Sequence, residues 1–246
     1  MDEVGRNPAR IIPLWNDFLA EHAASGRRVR GVGEPISARR SADELVECER
    51  HEALLNLAFA EAPAWWLACP YDTEALSPAV LEEAARNHPF VVADGVSRDS
   101  RTFRGLADVA APFDRPLPEA PARHVAMTFR DGELHEVRSV VARAADDAGL
   151  PRPRADDFVL AANEVATNSL LHGGGAGSRR LWEAAGSLVC EIADGGHIER
   201  PLLGRERPDT AKTSGFGLWL ANQVCELVQV RSYPTGSVVR LHVSRG

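Results

Sequence analysis

Cysteine is scarce and scattered in this chain. The four cysteines, Cys48, Cys69, Cys190 and Cys225, sit singly in apolar periodic segments and form no CxxC pair, which suits reduced thiols in a cytoplasmic protein. Long hydrophobic runs are also missing. No stretch approaches the ~20 apolar residues a membrane span needs, and MDEVGRNPARIIPLW has neither the basic start nor the apolar run of a signal peptide. Positive charge is not in excess: the formal net charge is −7 and no basic domain or tail stands out, which argues against nucleic acid as a partner. No GxxxxGK[ST] run and no internal repeat occur. A cytoplasmic protein with no membrane and no nucleic-acid partner is expected. Its 246 residues, 44% hydrophobic and 26% charged, suffice for one large domain or two of ordinary size.

The clearest boundary is APFDRPLPEAPARH (Ala111–His124), which holds four prolines and no apolar periodicity and reads as an extended connector. Domains are expected over 1–110 and 124–246, with a linker over 111–123. In the first, helices over Pro8–Ala24, Ser41–Glu61 and Ser77–His88 alternate with strands VRGVGEP, AWWLACPYD and PFVVAD. Ser41 and Glu44 form a capping box, and Ser77 caps a helix with Pro78 at its first position. Strands separated by helices of this length imply a mainly parallel α/β fold. In the second, helices GELHEVRSVVARAADDAG, RADDFVLAANEVATNSLLHG and GLWLANQVCELV accompany strands HVAMTFR, SRRLWEA, SLVCEIAD, QVRSY and SVVRLHV. Three helices on one face of a mixed, mostly antiparallel sheet make an α+β sandwich of two layers.

Three segments of that second half carry chemistry. In EVATNSLLHGG, Glu164, Asn168 and His172 are each four residues apart and so stack on one helix face, opposite Val159, Ala162, Ala166 and Leu170. In ADGG, Asp194 sits where a strand runs into a glycine turn. In SGFGLWLANQ, Gly215 and Gly217 precede an apolar helix that starts near Leu218, aiming backbone N–H groups and the positive end of the helix dipole at an anion. A carboxylate in a desolvated pocket accepts the adenine amino group and rejects guanine, which has a carbonyl there; Gly196 lets the backbone pass close to the ring. The polar stretch from His197 to Ser214 is long for a structureless loop and suits a lid, from which Arg205, Arg207 and Lys212 could reach phosphate. Each segment alone has a plainer reading: an exposed polar helix face, an Asp-Gly turn, a flexible loop.

These three boxes, in this order, resemble the Bergerat-fold (GHKL) ATPase domain, and NEVATNSLLHG is most similar to the first box of the anti-sigma-factor serine kinases. The resemblance implies a histidine-kinase-like two-layer α/β sandwich that binds ATP and Mg2+. It makes Asn168 the magnesium ligand and Glu164 the general base that polarises the attacking nucleophile. Binding of ATP then falls to Asn168, His172, Gly173, Asp194, Gly196, Gly215, Gly217 and Leu218; His172 can equally cap the helix end. The activity implied is that of a serine/threonine protein kinase, with a sigma factor or other transcription regulator as partner and an anti-sigma antagonist (STAS-like) protein as phospho-acceptor. A homodimer is a further expectation. A non-catalytic nucleotide-dependent partner-binding module remains open as the alternative. A sensor histidine kinase is disfavoured, because a proline linker stands where its dimerising hairpin would be, and His135 lies alone at an exposed helix start. A gyrase-like clamp would need a further domain after Gly246.

NPARIIPLW, RGVGEPI, ELVECERHEALLN and LACPYD resemble the MEDS sensory domain. The family domain has further strand and helix upstream of these residues, so an incomplete domain is expected here. Cys48, His51 and Glu52 lie within about one helical turn, a metal-like grouping. Core packing is the expectation instead, since no second Cys/His cluster is spaced to complete four ligands.

Overall fold

A computed structural model of the chain describes residues 6–23, 28–62, 65–108, 115–184, 186–208 and 215–245. Contacts divide the chain into two compact units, one of 1–10 with 114–246 and the other of 11–113. Among the described residues no helix is long and apolar enough to cross a membrane.

The larger unit is a sheet with helices on one face. Its strands are β5 (Val125–Arg130), β6 (Ala176–Ala184), β7 (Ser187–Asp194), β8 (Leu227–Tyr233) and β9 (Gly236–Ser244), in the order β5-β6-β7-β9-β8. Every pair is antiparallel, so the expected mixed sheet is corrected to a purely antiparallel one. Strand alternation sends Leu188, Cys190 and Ile192 of β7 and Val239, Leu241 and Val243 of β9 to one side, paired Leu188–Val243, Cys190–Leu241 and Ile192–Val239. They meet α4 (Leu134–Asp147), α5 (Arg152–His172) and α6 (Phe216–Val224) in one apolar core. Helix α4 contributes Val137, Val141 and Ala145, one every four residues, and α5 contributes Ala155, Phe158, Ala162 and Val165.

Helix α6 stops at Val224, before the expected Val228. Cys225 is extended, and Leu227 already pairs with His242. The carbonyls left unpaired at its end are met by the chain's own first residues. Asn7 Nδ2 donates to Asn222 O at 3.1 Å and to Cys225 O at 3.3 Å; Arg10 donates through Nε to Asn222 O at 2.7 Å and through Nη2 to Cys225 O at 2.9 Å. The sequence boundary at residue 110 therefore misses this short arm, which packs with the C-terminal body.

On the other face of the sheet Glu191 is 2% exposed and receives Arg180 Nε at 2.7 Å and Arg240 Nε at 3.0 Å. The guanidinium of Arg240 lies 5.0 Å from the Trp182 ring centroid. Chain from the proline-rich segment runs along this face: Pro118 O accepts from Arg240 at 2.7 Å and Arg115 O from Arg231 at 3.2 Å. That half of the linker is tied to the sheet.

The smaller unit holds α1 (Ile11–Ala23), β1 (Val29–Val32), α2 (Ala42–Ala58), β2 (Trp65–Ala68), α3 (Pro78–Asn87), β3 (Phe90–Ala93) and β4 (Val96–Asp99). Strands β1 and β2 pair in parallel across α2, the crossover expected. The capping box at Ser41 and Glu44 forms, with Glu44 N donating to Ser41 Oγ at 3.3 Å and Ser41 N to Glu44 Oε2 at 2.9 Å. Gly31 in β1 lies under the Trp15 ring, where a Cβ would come within 2.7 Å of it. The PFVVAD strand does not join this sheet. It forms a hairpin with β4 through Asp94 (φ 53) and Gly95 (φ 74), both left-handed, as a two-residue turn of this twist requires.

Candidate functional site

The end of α5 and the end of β7 are fused backbone to backbone. Gly195 N donates to Gly173 O at 3.1 Å. A Cβ on Gly173 would lie 2.5 Å from Asp194 Cγ, and one on Gly196 would lie 2.6 Å from His172 O. Only glycine fits at either place, and the join fixes Asp194 beside His172.

Three donors hold the Asp194 carboxylate. Oδ1 accepts from Gly196 N–H at 2.8 Å and from Ser237 Oγ at 2.9 Å; Oδ2 accepts from Ser169 Oγ at 2.6 Å. A carboxylate has about four acceptor positions, so one on Oδ2 is left over. Ser169 lies inside the first box, between Asn168 and His172. Ser237 arrives only because β9 pairs with β7 in the register Asp194–Ser237. Neither serine was singled out from sequence; the place of Ser169 in the box was a usable signal, whereas Ser237 carried none.

The third box closes on the first. Gly215 takes φ 94 at the start of α6, a conformation that favours glycine. A Cβ on Gly217 would stand 3.1 Å from both Asn168 Nδ2 and Glu164 Cβ, and 3.2 Å from Glu164 Oε2. The N-terminal turn of α6, with N–H groups that no helical carbonyl meets, thus lies against Glu164 and Asn168.

A cavity of ≈ 320 Å³ opens among these parts. Asn168, His172, Gly173, Asp194, Gly196, Gly215 and Leu218 all line it. Glu164 and Gly217 are not in its wall but pack directly behind it. The remaining wall is half apolar, from Val165, Ile198, Leu203 and Val239, and half polar, from His197, Glu199, Arg200 and Ser237; the apolar four carry no sequence signal beyond ordinary hydrophobicity. The apolar part of the wall, with the held Asp194 carboxylate accepting beside it, suits a flat heteroaromatic ring that carries an amino group. The glycine approaches and the spare acceptor on Asp194 therefore fit a purine nucleotide, and the amide oxygen of Asn168 is of the hard type that magnesium takes.

From the expected lid, Arg200 reaches the cavity and pairs with Glu206 at 3.4 Å. Arg205 is buried and is not part of the wall, which corrects its expected reach toward phosphate. Lys212 and Ser214 lie outside the described residues. The lid's base is tied to α6, because Asn222 Nδ2 donates to Gly204 O at 2.9 Å.

Residues 127–243 match the family model of the histidine kinase-like ATPase domain. Residues 1–89 match that of the MEDS domain, the MEthanogen/methylotroph, DcmR Sensory domain. The chain thus carries a GHKL-type ATPase domain preceded by a MEDS domain, in a mixed α/β architecture. Among solved structures it is similar to the RsbU and RsbW domains of Rv1364c from Mycobacterium tuberculosis, at 16% identity and a TM-score of 0.39 over 51% of this chain and 33% of that one. It is also similar to the Acinetobacter baumannii histidine kinase AdeS, at 14% identity and a TM-score of 0.31 over 50% of this chain and 69% of that one. The chain spans about a third of the length of the first. No curated protein matches.

Proposed function

We propose that the C-terminal unit binds ATP with Mg2+ and transfers the γ-phosphoryl group to a serine or threonine of an antagonist protein. It would thereby switch a sigma factor or similar transcription regulator between partners. The observation that carries this reading is the packing of Glu164 and Asn168 against Gly217, at the helix start that faces a cavity ending in the Asp194 carboxylate. Asp194 accepts the adenine amino group, and the apolar part of the wall takes the ring. The amide oxygen of Asn168 would hold the magnesium ion, which would supply neutralising charge to the phosphates. The N–H groups of the first turn of α6 receive the phosphate oxygens. Glu164 takes the proton of the acceptor hydroxyl as its oxygen bonds to the γ-phosphorus; the bond to the bridging oxygen breaks and ADP leaves.

A second reading, a nucleotide-dependent partner-binding module without transfer, is favoured by the position of Glu164 behind the cavity wall instead of in it. One comparison separates the two. Glu164→Ala should retain ATP binding and abolish transfer to the isolated partner, while Asn168→Ala should lose both. Undiminished transfer by Glu164→Ala would remove the general base from the first reading. Tight ATP binding with no transfer by the wild-type protein to any co-purified partner would establish the second.

A further inference from the structure

Three ligand-type side chains, far apart in sequence, converge in the smaller unit. Glu52 is on α2, Cys69 follows β2, and His88 ends α3. One oxygen, one sulfur and one nitrogen from these residues all lie within 4.8 Å of one another. Zinc bonds of about 2.3 Å to sulfur and about 2.0 Å to nitrogen or oxygen put tetrahedral ligand atoms roughly 3.3–3.8 Å apart, so small side-chain movements close the group around an ion.

The surroundings fit that occupant. Glu52 is 1% exposed; its Oε2 accepts from the Tyr71 hydroxyl, and its Oε1 makes no hydrogen bond. The side chains that act on its carboxyl by hydrogen bonding are the Tyr71 hydroxyl and the Cys69 thiol, and among the described residues no cation is its neighbour. A metal cation can take the place of the proton on a carboxyl buried in this way and supply the charge its ionised form needs. His88 contacts Ala84 O through Nδ1 at 2.8 Å. A carbonyl accepts only from a protonated nitrogen, so Nδ1–H donates and the lone pair sits on Nε2. Tyr71 buttresses both neighbours, bonding Glu52 and standing edge-on to the His88 ring at 5.9 Å. Outer partners of this kind orient metal ligands.

We propose that Glu52, Cys69 and His88 form a transition-metal site of zinc type, with three protein ligands and the fourth position open to water or a small exogenous ligand. Thiolate, imidazole and carboxylate together suit zinc and its neighbours, not magnesium or calcium. Binding displaces the Cys69 thiol proton. Cys48, nearer to Glu52 in sequence, stands outside the group: its thiol lies in the core and donates to Pro35 O at 3.3 Å.

The test is cobalt titration of the full chain, stripped of metal by chelation and free of nucleotide. One equivalent should bind, giving a sulfur-to-cobalt charge-transfer band and tetrahedral d–d absorption, with zinc displacing it. Cys69→Ser should lose the charge-transfer band and Cys48→Ser should keep it. Should Cys69→Ser fail to fold by circular dichroism, Glu52→Gln and Tyr71→Phe decide instead, each weakening cobalt by roughly 10- to 100-fold. Folded wild-type protein without the band overturns the proposal. So does a band that survives Cys69→Ser, or an affinity that neither Glu52→Gln nor Tyr71→Phe changes.

Discussion

Asp194 is bound from three directions before any ligand arrives, so it is already oriented when a nucleotide enters. That preorganisation makes its charge the selective element. Asp194→Asn places an NH2 group where an acceptor is needed, and a lost hydrogen bond to a charged group costs about 1.5–3 kcal/mol. On the proposed function, ATP affinity should fall roughly ten- to hundredfold and the preference for ATP over GTP should narrow; calorimetry with both nucleotides reads this. A second residue-scale effect concerns Glu49 on α2. Burial, and then the Glu83 carboxylate on α3, push it up to about 7, while Arg104 pulls it down; Glu52 on its own helix is a further acidic neighbour. Its folded pKa lies above the unfolded 4.5. The stability it contributes is therefore complete below about 4.5 and is lost as pH rises through about 7. The melting temperature of the smaller unit should accordingly fall between pH 5 and pH 8, and Glu49→Gln should flatten that slope. An unchanged slope in the variant would assign the titration elsewhere.

Helix α6 joins several parts of the nucleotide unit. Its first turn lies against Glu164 and Asn168, its Asn222 side chain holds the lid's base, and its last carbonyls are capped by Asn7 and Arg10. Arg10→Ala removes two charge-assisted hydrogen bonds from carbonyls that no helical N–H can meet, so the unit should lose about 1–3 kcal/mol in denaturant unfolding. Elements such as α5 could be read from sequence because a strict four-residue stripe and a terminal glycine mark a helix and its end. The end of α6 could not, since Cys225 to Val228 continues its apolar run without a break although the chain there has turned extended. Hairpin β3–β4 was readable in principle: Asp94-Gly95 between Val92 and Val96 is a strong two-residue turn signal. Ser237 and the group of Glu52, Cys69 and His88 were not, because only strand register and helix packing bring those residues to their partners.

For the molecule as a whole, the sheet of the nucleotide unit is covered twice, by helices on one side and by the proline-rich segment on the other. The second covering is polar at its centre. Glu191→Ala would leave Arg240 buried without its carboxylate and should cost about 3–5 kcal/mol. Replacing Glu191 and Arg240 together by methionine should cost far less or stabilise, because the one charge then left without its partner, on Arg180, is partly exposed to water. Thermal unfolding of the single and double variants distinguishes this from simple loss of packing, which would make the double variant the worse of the two.

The capping arm also sets the order of the chain in space. Polypeptide belonging to the nucleotide body lies on both sides of the smaller unit in sequence, over 1–10 and 114–246, so unit 11–113 is an insertion between the two. The MEDS match, over 1–89, straddles the first of those junctions. Mutations at Asn7 or Arg10 fall by position within the sensory match, yet physically they strike α6, whose first turn lies against Glu164 and Asn168. In a genetic screen they should therefore sort with lesions of the nucleotide site, and not with those of the domain whose name they bear.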